Sequence, residues 1–344
     1  MTRVWIRAVL APADRRAAPV LIGTGIVGIV VFGPTGMQPH DLTQLAMLSP
    51  VVGLVLVATW TLLFLPVARV IVRGDAARYL RSLPSPRWPA FALGALAMTV
   101  LQLPWLLLWL VGAGAIGALV VALVTGLVVG LALVRGRPPR VGRLRWRGPL
   151  AALFGVYVRA LRRRAFDALL RGVGLAVLAG LAGGLFARNN DLEPREASVL
   201  ATAVIAVVLT PGWSGILLPL AETHRDSAWL AATHGISESA RVGVLAAVSV
   251  AIYVATSALA AVAAFAIVPG AGAWLVAVPL GIAVGTGLAV TRGLVRAQRS
   301  AAMAARAVIG VIVGSAIVVV ALGVFGATGV LAVLLAGVLA VGTA

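Results

Sequence analysis

Residues 103–134 decide the fold, and they read LPWLLLWLVGAGAIGALVVALVTGLVVGLALV without one charged side chain. A run this long and apolar is typical of helices that cross a bilayer, which need about 20 residues each. The whole chain of 344 residues follows the same trend, since 61% of its residues are hydrophobic and 11% are charged. Soluble domains contain about 25% charged residues. The composition therefore predicts a polytopic membrane protein and excludes a soluble enzyme and a disordered chain.

Apolar runs of spanning length recur along the whole chain and predict an all-α fold with about ten transmembrane helices. The runs are continuous rather than alternating, which favours helices over a membrane β-barrel. Residues 1–16 are basic and weakly apolar, and they are predicted to form an amphipathic helix at the membrane surface. The ten predicted spans are 18–34, 46–68, 90–111, 114–134, 168–187, 198–220, 242–267, 273–291, 307–325 and 327–343.

The charge pattern supports this layout. The net charge is +18, and every one of the 28 basic residues is an arginine. With the first residues inside, 26 of the 28 arginines fall on the inner side, and only Arg188 and Arg195 fall outside. The positive-inside rule explains this asymmetry better than nucleic-acid recognition by guanidinium groups does. We therefore expect a bilayer partner but no nucleic acid, and a bacterial inner-membrane protein with both termini in the cytoplasm.

The chain also repeats itself. Residues 4–9 match residues 156–161, and 60–68 match 213–221, at spacings of 152 and 153 residues. Four spans per repeat is an even number, so the two repeats are predicted to be parallel. The predicted domains are a first repeat at 1–134, a basic cytoplasmic linker at 135–149, a second repeat at 150–291, and two extra C-terminal spans at 292–344.

The sequence lacks the residues that several classes of enzyme and binding site require. Without lysine the chain cannot contain a Walker A loop, and without cysteine it has neither thiolate nucleophiles nor zinc–thiolate sites. Every acidic residue lies in a predicted loop or at a span end, which argues against ion-driven carriers and magnesium-dependent membrane transferases. His224 and His234 lack metal-site spacing and are expected to be solvated loop residues. The chain is therefore predicted to be neither an enzyme nor a metal-binding protein.

Polar and helix-breaking residues inside the predicted spans are candidates for a transport pathway. A proline inside a span frees a backbone carbonyl, which protein or cavity water must satisfy. Ordinary kinks and interfacial tryptophans explain the same residues equally well. The small residues from Gly174 to Gly184 are predicted to serve close helix packing. The candidate pathway residues are Trp60, Thr61, Gln102, Pro104, Pro211, Trp213 and Ser214.

Two inner loops, 73–87 and 222–241, are compatible with helix and mixed in charge. Short mixed-charge helices facing the cytosol suit a protein partner, although solvated loops that pack on lipid headgroups have the same composition. Asp75 and Asp226 could instead cap the loop helices. The candidate docking residues are Arg73, Asp75, Arg78, Tyr79, Leu80, Arg81, Pro84, Arg225, Asp226, Trp229, Leu230 and Glu238.

These loops carry a resemblance to a known family. The first has the form Arg-x-Asp-x-x-x-aromatic-Leu-x-x-Leu-Pro-Ser, and the second fits it loosely, with Gly235 in place of proline. The chain thereby resembles the membrane subunits of ABC-type exporters, especially Ecs-like bacterial permeases, over about two-thirds of its length. The residues that fit are Arg73, Asp75, Tyr79, Leu80, Leu83, Pro84 and Ser85, then Arg225, Asp226, Trp229, Leu230, Ile236 and Ser237.

The resemblance implies a permease without its own motor. A separate cytoplasmic ABC ATPase, which holds ATP and magnesium, would bind the inner loops, and the permease could form a homodimer. Exported substrates in such systems include peptides, antibiotics and lipids, and the sequence selects none of them. The alternative is a non-transporting membrane scaffold or assembly factor, and a membrane enzyme ranks third.

Overall fold

The computed structural model describes residues 37–73, 96–133, 148–297 and 317–342, with isolated residues 21, 24, 25, 28 and 32. Within these ranges only the backbone is described at residues 51, 73, 210–212, 214, 218, 296, 297 and 342. The predicted surface helix 1–16 lies outside the described residues, as does most of the predicted span 18–34. All regular elements of the described residues are helices. The chain divides into two compact units, Met1–Pro139 and Arg140–Ala344.

Among its described residues, the first unit contains three helices with described bounds, which are α1 (Pro39–Leu48), α2 (Pro50–Arg73) and α3 (Leu103–Leu133). Helical residues 96–101 lead into α3. Proline at the first position of α1 suits a helix start, because that N–H group would have no intrahelical partner. α1, α2 and α3 all pack against one another.

α3 reverses direction at Gly114. The backbone angles of Gly114 are φ 56° and ψ −128°, a conformation that glycine adopts without steric strain. A Cβ built on Gly117 would lie within 1.9 Å of the Trp109 carbonyl oxygen. Eight residues of straight helix span about 12 Å. The close approach of these two residues therefore shows a tight helical hairpin, at the place where the sequence separates the predicted spans 90–111 and 114–134.

The second unit contains seven α-helices among its described residues. They are α4 (Pro149–Arg164), α5 (Phe166–Asn189), α6 (Pro194–Asp226), α7 (Ala228–Thr233), α8 (Glu238–Ile267), α9 (Trp274–Ala297) and α10 (Gly329–Gly342). Short 3₁₀ turns at Pro269–Ala271 and Gly326–Thr328 precede α9 and α10, and helical residues 317–325 precede the second turn.

Local sequence explains where these helices begin. Pro149 and Pro194 stand in the first turns of α4 and α6, where a missing N–H group has no cost. The Ser237 hydroxyl accepts a 3.3 Å hydrogen bond from the Ala240 N–H and so caps α8. α4 buries Leu153, Tyr157 and Leu161 on one face. The other face and the last turn are rich in arginine, which identifies α4 as an amphipathic helix.

The helices of the second unit pack through small residues. α5 lies between α6 and α8, while α9 packs against α6, α8 and α10. A Cβ built on Gly180 would lie 2.0 Å from the Ala260 carbonyl oxygen of α8, and one on Gly183 would lie 2.8 Å from the Ala201 Cα of α6. Small residues let helix backbones approach this closely. The packing role predicted for the segment from Gly174 to Gly184 is confirmed.

Two further turns carry glycine with positive φ. Gly272 follows the 3₁₀ turn between α8 and α9 with φ 57°, and Gly326 begins the turn before α10 with φ 56°. A Cβ built on Gly329 would lie 2.5 Å from the Ala321 carbonyl oxygen. The chain therefore reverses direction at Gly326 as it does at Gly114.

By length and composition, six helices of the described residues could cross a membrane. Two of them, Leu103–Leu133 and Ile317–Val341, contain the reversals at Gly114 and Gly326. Together with the helical architecture, the six helices identify an all-α membrane protein. The count of ten spans and the tandem repeat stay predictions. The six helices are Val52–Val72, Leu103–Leu133, Phe166–Asn189, Glu238–Ile267, Trp274–Val295 and Ile317–Val341.

Candidate functional site

The predicted docking loop at 222–241 is a compact structure. α6 ends at Asp226, the six-residue helix α7 follows at once, and Ser237 then opens α8. Gly235 has φ +65°, which lets the chain turn between α7 and α8. The Ile236 N–H donates a 2.9 Å hydrogen bond to the Ala231 carbonyl oxygen and closes this turn. The loop is therefore a helical cap that joins the ends of α6 and α8.

A polar cluster anchors this cap, and its members are buried except for Glu238, whose side chain is 61% exposed. We call Tyr157, His224, Glu238 and Arg241 the anchor cluster. The Tyr157 hydroxyl is hydrogen-bonded to Nδ1 of His224. Arg241 donates 2.8 Å hydrogen bonds from Nη2 to the His224 carbonyl oxygen and from Nη1 to Oε2 of Glu238. The imidazole of His224 is fully buried and Arg241 is 6% exposed. The cluster joins α4, α6 and α8.

Burial fixes the protonation of two members of the anchor cluster. Desolvation, and then the positive charge of Arg241, lower the pKa of His224 to about 4. Desolvation also raises the pKa of the Tyr157 hydroxyl. Both side chains are therefore neutral at pH 7. The 3.8 Å approach of His224 Nε2 to Glu238 Oε1 is not an ion pair at that pH. The positive charge that contacts Glu238 is that of Arg241.

A looser set of charges surrounds the cap on the outside. Nη1 of Arg164 lies 3.6 Å from a carboxylate oxygen of Glu222 and 3.6 Å from one of Asp226. Arg225 Nε lies 3.5 Å from Oδ1 of Asp226. These side chains are about half exposed, and such pairs contribute little to stability. They leave a surface of mixed sign that a partner can contact.

Trp229 is a large apolar side chain of the cap that is exposed. It lies on α7 and is 68% exposed, whereas the neighbouring Leu230 is half-buried. A large exposed tryptophan between carboxylates and an arginine has the composition of a binding hot spot. Ala231 is the buried residue of the small helix, at 1% exposure, so that Trp229 stands on a packed support.

Two expectations about this loop were wrong. His224 was expected to be solvated, but the ring is fully buried because α4 and α8 close over it. His234 is exposed as expected. Asp226 does not cap the loop helix, since Ser227 occupies the N-cap position and the Asp226 carboxylate faces Arg164 and Arg225. Ser237, which fits the family pattern, is a capping residue.

The first docking loop falls largely outside the described residues. Arg73 is the last residue of α2, and its side chain is not described. The docking candidates that lie outside the described residues are Asp75, Arg78, Tyr79, Leu80, Arg81 and Pro84.

In the first unit, the structure brings several candidate pathway residues together. Trp60 Nε1 donates a hydrogen bond to Oε1 of Gln102. The Trp60 ring stacks on that of Trp105, with a centroid distance of 4.9 Å, and Trp105 meets Trp109 edge-on at 5.5 Å. All four side chains are at most 6% exposed. Thr61 is also buried, and Pro104 lies in the first turn of α3.

In the second unit, Trp213 takes part in a similar contact. Its Nε1 donates a 3.3 Å hydrogen bond to Oγ1 of Thr256, and its ring lies 3.9 Å from that of Tyr253. Trp213 also lines a cleft together with Thr202, Ser257 and Thr286. Pro211 and Ser214 lie on α6, but their side chains are not described. Among the described residues, the candidate pathway therefore consists of two separate polar–aromatic groups, one in each unit.

Tyr157, Arg241 and Thr256 belong to these groups, although none of them was predicted from the sequence as a site residue. Only the match between residues 4–9 and 156–161 drew attention to Tyr157. The position of Arg241, at the start of an apolar run after a serine and a glutamate, was the available signal for a buried cationic anchor. Among the described residues, no group of three histidine, aspartate or glutamate side chains could hold a metal ion.

The helices and these two kinds of site define an all-α membrane protein with an ordered helical cap. Comparison with known proteins finds no matching family model, curated protein or solved structure.

Proposed function

We propose that the chain is the transmembrane permease subunit of an ATP-driven, ABC-type exporter, powered by a separate ATPase subunit. The observation that carries this proposal is the helical cap at 222–241, where the exposed Trp229 stands on a support anchored to two long helices. A force on α7 would reach α6 through the short link at Ser227 and α8 through the contact of Arg241 with the His224 carbonyl oxygen. That is the mechanical requirement for a docking element.

The finer layout belongs to the same proposal. It comprises ten spans, two parallel repeats at 1–134 and 150–291, a bacterial inner-membrane location, and both termini in the cytoplasm. The spacing of two hydrogen bonds supports the repeat. Trp60 bonds to a side chain 42 residues later, and Trp213 bonds to one 43 residues later. The two tryptophans lie 153 residues apart and their acceptors, Gln102 and Thr256, lie 154 apart.

The partner proposed for the cap is an ABC ATPase that contributes ATP and magnesium. Its contact surface should offer an apolar pocket for Trp229 and charges that complement Glu222, Arg225 and Asp226. The other inner loop, 73–87, is proposed as a second contact on the strength of the sequence alone. A homodimer of the permease is compatible with this arrangement.

Co-purification tests the proposal. The chain is co-expressed with a candidate Walker A ATPase, isolated through a tag on the membrane protein, and assayed for magnesium-dependent ATP hydrolysis. Trp229→Ala should reduce the recovered ATPase about tenfold or more, because a central tryptophan commonly contributes over 1 kcal/mol to an interface. Replacing the Walker A lysine of the partner should abolish hydrolysis without affecting recovery.

Trp274→Ala is the matched control, because Trp274 is 48% exposed and opens α9 beyond the turn at Gly272. This variant should recover the ATPase normally. If no nucleotide-binding protein associates with the chain, or if both tryptophan variants recover it equally, the permease proposal fails. The chain is then better described as a membrane scaffold or assembly factor.

A further inference from the structure

The tryptophan group of the first unit contains more hydrogen-bond donors than acceptors. The Oε1 atom of Gln102 accepts the hydrogen bond from Trp60, so its Nε2 group keeps two N–H donors. Gln102 Nε2, Trp105 Nε1 and Trp109 Nε1 are buried and have no hydrogen-bond partner among the described residues. The exposed fractions of these three side chains are 1%, 2% and 3%. We call Trp60, Gln102, Trp105 and Trp109 the donor group.

Leaving these buried donors without a hydrogen-bond partner destabilises the folded protein. A buried donor without a partner costs about 1–3 kcal/mol, and the bilayer interior supplies no water to reduce that cost. Trp60 lies ten residues after the start of α2 at Pro50 and thirteen before its end at Arg73. It is therefore about 15 Å along the helix axis from one end and about 20 Å from the other. The donor group lies near the middle of a membrane-spanning helix.

The chemistry of the donor group selects its ligand. Indole and amide N–H groups bind oxygen acceptors and cannot coordinate a cation. An anion would need a positive side chain, yet in the described part of α2 and α3 the basic residues are Arg69 and Arg73. Arg69 lies nine residues beyond Trp60, or about 14 Å along the helix. A neutral oxygen acceptor, such as a carbonyl, satisfies the donors without an uncompensated charge.

The aromatic faces select the rest of the ligand. Trp60 contacts Trp105 at 4.9 Å and Phe64 at 4.2 Å between ring centroids. The surroundings of the donors are therefore aromatic and apolar, which suits a ligand whose remaining surface is apolar. We propose that the donor group is a binding site, within the membrane, for neutral apolar molecules that carry ketone, ester or amide carbonyls. As a description of what the permease carries, this rests on the proposed function, but the binding itself requires no ATPase.

The second unit offers a related arrangement. Trp213 lines the cleft next to Thr286, whose Oγ1 is buried and has no hydrogen-bond partner among the described residues. The Tyr253 hydroxyl, beside Trp213, is likewise buried and unpartnered within the described part of the chain. Both units thus place unpartnered donors next to a tryptophan that already donates one hydrogen bond.

Photolabelling tests the site in the full chain, purified alone and placed in lipid nanodiscs. Benzophenone, a neutral diaryl ketone, is activated by light, and its adducts are located by mass spectrometry. We expect adducts within residues 56–64 and 100–112.

Competition by fluorenone and fluorene then measures the contribution of the carbonyl group. The two molecules share one ring system, and only fluorenone has the carbonyl. Fluorenone should compete roughly tenfold better, which is the effect of about one net hydrogen bond.

Two variants remove one unpartnered donor each and keep an aromatic side chain. Trp105→Phe and Trp109→Phe should each shrink the advantage of fluorenone to threefold or less, while fluorene competes as before. Leu107→Met is the control, because Leu107 lies on α3 and is half exposed. It should retain the full advantage. Each variant must first show a thermal transition within a few degrees of the native chain, and the second donor variant decides if the first does not fold.

Equal competition by fluorene and fluorenone would overturn the proposal, because it would mean that water or protein already satisfies the donors. An advantage that survives in both donor variants would overturn it as well. Neither result bears on recovery of the ATPase through Trp229. Conversely, a carbonyl-selective site in a chain that recruits no ATPase would sustain the binding site and remove the transport function.

Discussion

Nη2 of Arg241 donates a 2.8 Å hydrogen bond to the main-chain carbonyl oxygen of His224. The last four carbonyls of a helix have no intrahelical donor, and His224 stands in the last turn of α6. The Ser227 hydroxyl donates a second hydrogen bond to the same oxygen, at 3.1 Å. The guanidinium at the start of α8 therefore acts as a C-cap for α6, and the two helices share one polar junction.

Removal of this cap should destabilise the protein. Arg241→Met leaves the carboxylate of Glu238 without its 2.8 Å partner and takes the stronger donor from the His224 carbonyl oxygen. We expect the free energy of unfolding to fall by about 2–3 kcal/mol, as for other hydrogen bonds to charged groups. Unfolding in mixed detergent micelles measures this change. Arg225→Met is the control, and its effect should stay within about 0.5 kcal/mol because Arg225 is exposed.

Acid should weaken the anchor cluster through His224. In the unfolded chain this ring takes up a proton near pH 6.5, but in the folded chain burial lowers the pKa of His224 to about 4. Between these values the unfolded state binds more protons, so the stability falls as the pH falls from 6.5 to 4. The full loss is about 3 kcal/mol.

The comparison of two histidine variants isolates this effect. His224→Gln cannot titrate and should remove the corresponding slope from a plot of unfolding free energy against pH. His234→Gln, at an exposed position, should keep the slope of the native chain. A slope that is the same in all three proteins would show that other groups cause the acid sensitivity.

One added methyl group at the contact between α5 and α8 should destabilise the protein. Gly180→Ala places a Cβ 2.0 Å from the Ala260 carbonyl oxygen, and the atom in its way is backbone. We expect a loss of about 1–3 kcal/mol, as for other overpacked contacts. Gly243→Ala is the control, because a Cβ there meets no atom within 4 Å. That variant should be neutral or slightly more stable, since alanine favours helix over glycine. Equal melting temperatures would argue against the close contact.

Membrane topology can be tested cleanly because the chain contains no cysteine. Glu193 precedes the first residue of α6, Ser239 follows the first residue of α8, and both are exposed. α6 has 33 residues, or about 50 Å of helix, so its two ends can lie on opposite sides of a bilayer. Glu193→Cys should react with an impermeant maleimide added outside intact cells, and Ser239→Cys should react only in inverted vesicles. Reaction of both from one side would contradict the proposed orientation.

Sequence patterns predicted the parts of this structure that depend on local composition. Uncharged apolar runs have few alternatives to membrane helices, and glycine-rich segments pack closely, as Gly180 and Gly183 do. The anchor cluster could not be predicted in this way. His224 is in a stretch with Glu222 and Asp226, and it is buried only because α4 and α8 cover it. Those contacts join residues 17 and 67 positions apart, and periodicity within one segment carries no information about them.

The reversal at Gly114 has a consequence for biosynthesis. At about 5–20 residues per second, the second arm of the hairpin leaves the ribosome within seconds of the first. In the folded chain the two arms contact each other at Trp109 and Gly117, so the first arm gains this packing partner only when the second has been made. Both arms should therefore enter the bilayer together, with the turn leading. The unit of insertion is then the hairpin rather than the single helix, and a bulky residue at position 117 should reduce the yield of inserted protein before it affects any property of the mature one.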